Sequence, residues 1–131
     1  MIDVHAHLTP ERFKEAIRTE GNWHGLGPSS GELHRRGFNT SVPDRIAQLD
    51  EMGVDIQLIT PNDGFYHYDK DLDLTTTVAR ECNDEIAKVV EQHPTRFIGM
   101  GTLPMQDIPA AITELERGMG ELGLRGAMIN D

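Results

Sequence analysis

Cysteine is almost missing from this chain of 131 residues: Cys82 stands alone, which excludes an internal disulfide and fits a reducing, cytoplasmic setting. Positive charge is scarce too, with 12 Lys and Arg against 22 Asp and Glu and a formal net charge of −10. That balance argues against nucleic acid and anionic membranes as partners, while a local basic pocket could still take a small anionic substrate. No apolar run approaches the roughly 20 residues that span a bilayer. No basic-then-apolar signal segment precedes the first apolar stretch, and the sequence has neither an internal repeat nor a low-complexity tract. These absences leave one soluble, acidic domain, long enough to bury a core of its own.

The first seven residues carry the clearest chemistry that is present. Ile2, Val4 and Ala6 alternate with Asp3, His5 and His7, so a strand here would set both imidazoles on one face, with Asp3 deeper on the same side. Two same-facing imidazoles suit a divalent metal but do not complete a zinc site. Asp3 reads as a buried polar or ion-paired group rather than a ligand. The spacing alone equally fits two histidines that are merely hydrogen-bonded.

Further along, Thr9-Pro10 reads as a cap and first turn of a short helix to about Ile17. Residues 8–40 form a long excursion, glycine-rich from Gly21 to Gly37, which holds Trp23, His24, His34, Arg35, Arg36 and Phe38. It is either a substrate loop or a surface loop with incidental aromatics. Ser41-Val42-Pro43-Asp44 opens a helix with an apolar stripe of Ile46, Leu49 and Met52, ended by Gly53. A strand follows over 54–60, then a loop with Phe65, Tyr66, His67 and Tyr68. The next helix, about 75–92, sets Val78, Ala79, Cys82, Ile86, Val89 and Val90 on one face, so Cys82 is a packing residue rather than a nucleophile. A third strand runs over 96–103. A helix capped by Asp107 follows, with Ile108, Ile112, Leu115, Met119 and Leu122 as its apolar stripe, and residues 124–129 read as a fourth strand.

Alternation of strand and helix predicts an α/β fold with parallel strands and helical crossovers. An open doubly wound sheet and a (β/α)8 TIM barrel both fit that order. A barrel needs about 250 residues, and a domain that stops on an uncovered apolar strand leaves an edge and two faces without partners. The second closure is therefore favoured, with residues 1–131 supplying only the first four strands and their crossover helices as a fragment.

The chain resembles the amidohydrolase superfamily, in the branch of aminocarboxymuconate-semialdehyde decarboxylase. Three segments carry the resemblance: Ile-Asp-Val-His-Ala-His at 2–7, Leu-Asp-Glu-Met-Gly-Val-Asp at 49–55, and Arg-Phe-Ile-Gly-Met-Gly-Thr-Leu-Pro-Met-Gln at 96–106. It spans most of this chain but only the first half of the family barrel. The resemblance implies a divalent metal, usually zinc with manganese as the alternative, held by His5 and His7. The family's other metal ligands and its acid–base histidine come from later strands, so no catalytic residue is assigned in this chain.

Arg35 and Arg36 are the candidates for gripping a substrate carboxylate, since a guanidinium binds one in a bidentate fork; a solvated surface pair is the other reading. Phe65 and Tyr66 follow the second strand, where barrel sites form, and either wall a pocket or pack within the loop. Trp23 has the same two readings. His24, His34, His67 and His93 read as surface or loop histidines. The functional expectation is a metal-dependent decarboxylase of a small carboxylated, ring-derived compound. A metal-dependent hydrolase of the same superfamily is the first alternative. The second is a non-catalytic half-barrel that self-associates into a homo-oligomer to cover its edges.

Overall fold

A computed structural model describes residues 1–31, 33 and 39–130. Its elements are β1 (Ile2–Leu8), α1 (Glu11–Glu20), α2 (Val42–Glu51), β2 (Ile56–Pro61), α3 (Leu72–Gln92), β3 (Phe97–Gly99) and α4 (Ile108–Gly120), with 3₁₀ turns at Pro28–Gly31 and Asp63–Phe65. The three strands form one parallel sheet in the order β1-β2-β3. The α/β expectation and the parallel pairing are thus met.

The fourth strand is present only in outline. Beyond β3, Gly101 pairs in parallel with Ala127 as a single bridge. Arg125 N–H donates to the Gly99 carbonyl and Met128 N–H to the Gly101 carbonyl. The segment therefore lies beside β3 in the expected place and direction, but its pairing is too short for a full strand.

Helices cover one face of the sheet. Ala6, Leu8, Ile59 and Phe97 meet Leu49, Ile86 and Leu124 there in the main core. Local sequence explains the helices: Ser41 accepts from the Asp44 amide, Asp71 from Asp73 and Leu74, and Asp107 from Ala110, so each N-terminus has a capping side chain. Thr9 does not cap α1. Its buried hydroxyl donates instead to the Gly31 carbonyl, and Pro10 takes the cap position.

The apolar stripe of α4 also lies differently from its helical pattern. Ile108, Ile112 and Met119 are more than half exposed, while Ala111, Glu114 and Gly118 face inward. Two of those three are small, which lets the helix approach Leu124 closely. Glu114, 2% exposed, is held by Asn83, Arg80 and Arg117. A charge network, rather than leucine packing, joins α4 to α3.

A second core gathers Phe13, Trp23, Leu26, Phe65, Val78 and Cys82. Phe13 stacks edge-on against Phe65 at 5.0 Å and against Trp23 at 5.8 Å. The start of the excursion after β1 is therefore packed, with Trp23 as a core residue rather than a loop aromatic. Cys82 is fully buried, and burial raises its thiol pKa well above the usual range, in keeping with its packing role. None of the described helices is long and apolar enough to cross a membrane.

Candidate metal and substrate site

The histidine strand is not regular. Its register against β2 shifts between Asp3 and Ala6, and the consecutive residues Val4 and His5 are both exposed. This is the signature of a β-bulge, which resets the alternation of side chains. Before it, Ile2 and Val4 lie on the open face, 59% and 68% exposed, and Asp3 points to the helix-covered side. After it, Ala6 and Leu8 enter the core while His5 and His7 occupy the open face. The two imidazoles share a face, as their spacing predicts, but Asp3 does not share it with them.

Asp3 instead holds the bulge. The His5 amide, left out of the ladder, donates to Asp3 Oδ1 at 3.2 Å, a local i to i+2 bond of the kind aspartate often makes. Asp3 Oδ2 accepts from Gln57 Nε2 at 2.8 Å. Gln57 Oε1 accepts from the Arg45 guanidinium at 3.2 Å, and the same guanidinium donates to the His7 carbonyl at 2.9 Å. One chain of bonds thus grips the His-x-His segment at both ends. Burial pulls the Arg45 pKa down, with the Asp3 charge opposing it. Neither Arg45 nor Gln57 stands out in the sequence as a site residue; the only signal is that Arg45 lies one turn before Leu49, on the inward side of α2.

The His5 and His7 rings are edge-to-face with centroids 4.8 Å apart, leaving room for one nitrogen of each to bind a common ion. His7 Nδ1 lies 3.3 Å from the Pro61 carbonyl. A carbonyl can only accept, so this contact favours the tautomer with the proton on Nδ1 and Nε2 as the ligating atom. Among the described residues no group of three His, Cys, Asp or Glu side chains could hold a metal. The donor set fits half of a metal site.

Of the other sequence candidates, Arg35 and Arg36 lie outside the described residues, as does His34. Phe65 is fully buried in the second core, so it supports the loop after β2 from within and does not wall a pocket. Tyr66, 5% exposed, stacks on Tyr68 with centroids 5.9 Å apart. The Tyr68 hydroxyl in turn accepts from the Asn130 amide, which places the two rings across the C-terminal ends of the strands. His24 pairs with Glu81 at 3.2 Å, and His93 ends α3 with its ring against Phe97. Both are structural, in line with their sequence reading. His67 is half-buried, with its backbone in the left-handed region at φ 46.

The sequence model of the amidohydrolase family matches residues 2–131. A 2-amino-3-carboxymuconate-6-semialdehyde decarboxylase of Dictyostelium discoideum is 34% identical over 141 aligned positions, covering 98% of this chain and 39% of the relative. Among solved structures, a dihydroxybenzoic acid decarboxylase from Polaromonas sp. JS666, with bound manganese and the inhibitor 2-nitroresorcinol, superposes with a TM-score of 0.75. It is 30% identical, with 98% of this chain and 37% of that one covered. The 5-carboxyvanillate decarboxylase of Sphingomonas paucimobilis superposes with a TM-score of 0.78 at 28% identity, over all of this chain and 42% of its own. The chain spans about two fifths of the length of these relatives.

Proposed function

The chain belongs to the amidohydrolase family, and from that premise we propose that the protein carrying it is a metal-dependent carboxy-lyase of a small, ring-derived carboxylic acid. The observation that carries the reading is the His5–His7 pair, set on the open face at the C-terminal end of β1 and held there from both sides. Decarboxylases are among the relatives that align over nearly the whole chain, and a hydratase aligns over as much of it. The parallel sheet is the opening part of a barrel whose further strands bring the remaining ligands.

His5 and His7 would hold a divalent ion. Manganese is the ion of the Polaromonas relative, and it takes precedence over zinc for that reason. Bound there, the ion supplies a Lewis acid that polarises an oxygen of the substrate and stabilises charge as carbon dioxide leaves. The chain's own share is positional: the bulge aims His5, and the Pro61 carbonyl and Arg45 fix His7. Arg35 or Arg36 would grip the substrate carboxylate. The 131-residue chain by itself, with half a ligand set, would have no turnover.

The test is release of carbon dioxide from 2,6-dihydroxybenzoate and related ring carboxylates by the full-length protein supplied with Mn²⁺. Carbon dioxide released by the wild type and abolished in His7→Ala supports the assignment. Turnover by hydrolysis of an amide or lactone, with no carbon dioxide released, overturns it in favour of a hydrolase.

A further inference from the structure

The parallel pairing of β1 with β2 ends at Leu8 and Pro61, and the next pair along is joined by side chains instead of backbone. Asn62 Nδ2 donates to Thr9 Oγ1 at 3.3 Å, and the Thr9 hydroxyl passes its own hydrogen to the Gly31 carbonyl at 3.1 Å. Asn62 Oδ1 accepts from the Gly64 amide at 3.0 Å, and the Asn62 backbone carbonyl accepts from the Phe65 amide. Thr9 is 1% and Asn62 0% exposed, so both are desolvated and both are bonded.

The position of this pair gives it a consequence beyond the loop. Thr9 follows His7 by two residues, and Asn62 directly follows Pro61, whose carbonyl lies 3.3 Å from His7 Nδ1. That contact is near the long limit of a hydrogen bond, so a shift of a few tenths of an ångström loses it. A peptide is a rigid plane, and the aim of its carbonyl is set by the residues at its two ends. Pairing with Leu8 holds Pro61, and the bonds of Asn62 hold the far end of the Pro61–Asn62 peptide. Two apolar side chains would fill the same space, but their attraction has no direction and would fix the spacing of the strand ends less closely.

We propose that Thr9 and Asn62 form a rung that positions the metal-binding His7. By tying the ends of β1 and β2 together they keep the Pro61 carbonyl on Nδ1, and so keep Nε2 turned to the ion. The inference rests on the metal-site part of the proposed function. Both are positioning residues, acting through Pro61 and His7 rather than on the ion.

The experiment is Mn²⁺ titration of the metal-depleted full-length protein, with the free ion read by electron paramagnetic resonance, together with melting of each metal-free form. The variants are His7→Ala, Thr9→Val, Thr9→Ser and Asn62→Ala, with Ile86→Val, a fully buried change in the main core, as a destabilised control. Thr9→Val and Asn62→Ala are expected to weaken Mn²⁺ about tenfold, the lower end for losing support behind a metal-bound histidine. Thr9→Ser keeps the hydroxyl and should bind as wild type, as should Ile86→Val despite a lower Tm. Wild-type affinity in a folded Thr9→Val, or a loss that Thr9→Ser does not restore, overturns the rung. So does an equal loss in Ile86→Val, since affinity would then follow overall stability. Should Thr9→Val not fold, wild-type affinity in Asn62→Ala overturns the rung and a tenfold loss there, with Ile86→Val unchanged, supports it. Failure of the wild type to bind Mn²⁺, or undiminished binding in His7→Ala, overturns the metal-site reading itself, and the rung falls with it.

Discussion

Arg45 is the residue on which the geometry of the histidine strand depends most. It is 8% exposed, and its guanidinium links the His7 carbonyl to Gln57 and, through it, to Asp3. Arg45→Met keeps the aliphatic stem but leaves a buried carbonyl and amide short of a donor. It should cost about 2 kcal/mol of unfolding free energy, the typical value for hydrogen bonds to a charged group, measured by urea denaturation; a loss under about 0.5 kcal/mol, ordinary for a surface site, would show that the network does not hold the strand. His67 gives a pH signature. Burial lowers its folded-state pKa, so the unfolded chain binds the proton more readily and stability falls as pH drops below the ordinary histidine value of about 6.5. His67→Asn, a residue that tolerates the left-handed backbone, should flatten Tm between about pH 7 and 5 relative to wild type. An unchanged slope would place the pH dependence elsewhere.

At the scale of elements, the join between the excursion and the turn after β2 is closely packed. A Cβ on Gly64 would lie 1.8 Å from the Ser30 carbonyl oxygen, and Asn62 and Thr9 hydrogen-bond across the same join. Gly64→Ala must displace backbone, so a loss of about 2–3 kcal/mol is expected, with amide exchange rising first in residues 26–31; a change confined to the 63–65 turn would contradict this coupling. The elements themselves were largely legible from caps, glycines and periodicity: α2, α3 and α4 start within a few residues of their expected places. The bulge in β1 was not, because Val4-His5 carries no glycine or proline to mark it and depends on the bond between Asp3 and Gln57, more than fifty positions away. The pairing of His5 with His7 survived, since alternation is regular from His5 onward, whereas Asp3 lies before the shift. Nor could periodicity reveal that α4 packs through Ala111, Glu114 and Gly118, because the decisive partners, Asn83 and Arg80, belong to another helix. Phe65 shows the same limit: a loop aromatic after a strand reads equally as a pocket wall or a packed ring until Phe13 and Trp23 are seen to enclose it.

For the molecule as a whole, the described residues cover one face of the sheet. Ile2 and Val4 project from its open face and Ile108, Ile112 and Met119 from the outer side of α4, all more than half exposed, and apolar faces of this kind favour association. The 131-residue chain expressed alone should therefore self-associate with rising concentration in sedimentation experiments, and Val4→Asp should reduce that association; a monomer at all concentrations would contradict the half-barrel reading. The central claim, that His5 and His7 are two ligands of one metal site completed by residues outside this chain, is tested most directly by metal analysis of the full-length protein after dialysis against Mn²⁺. About one equivalent per chain in the wild type, falling to near zero in both His5→Ala and His7→Ala with the fold intact, is the predicted result. Undiminished metal in either variant would contradict it.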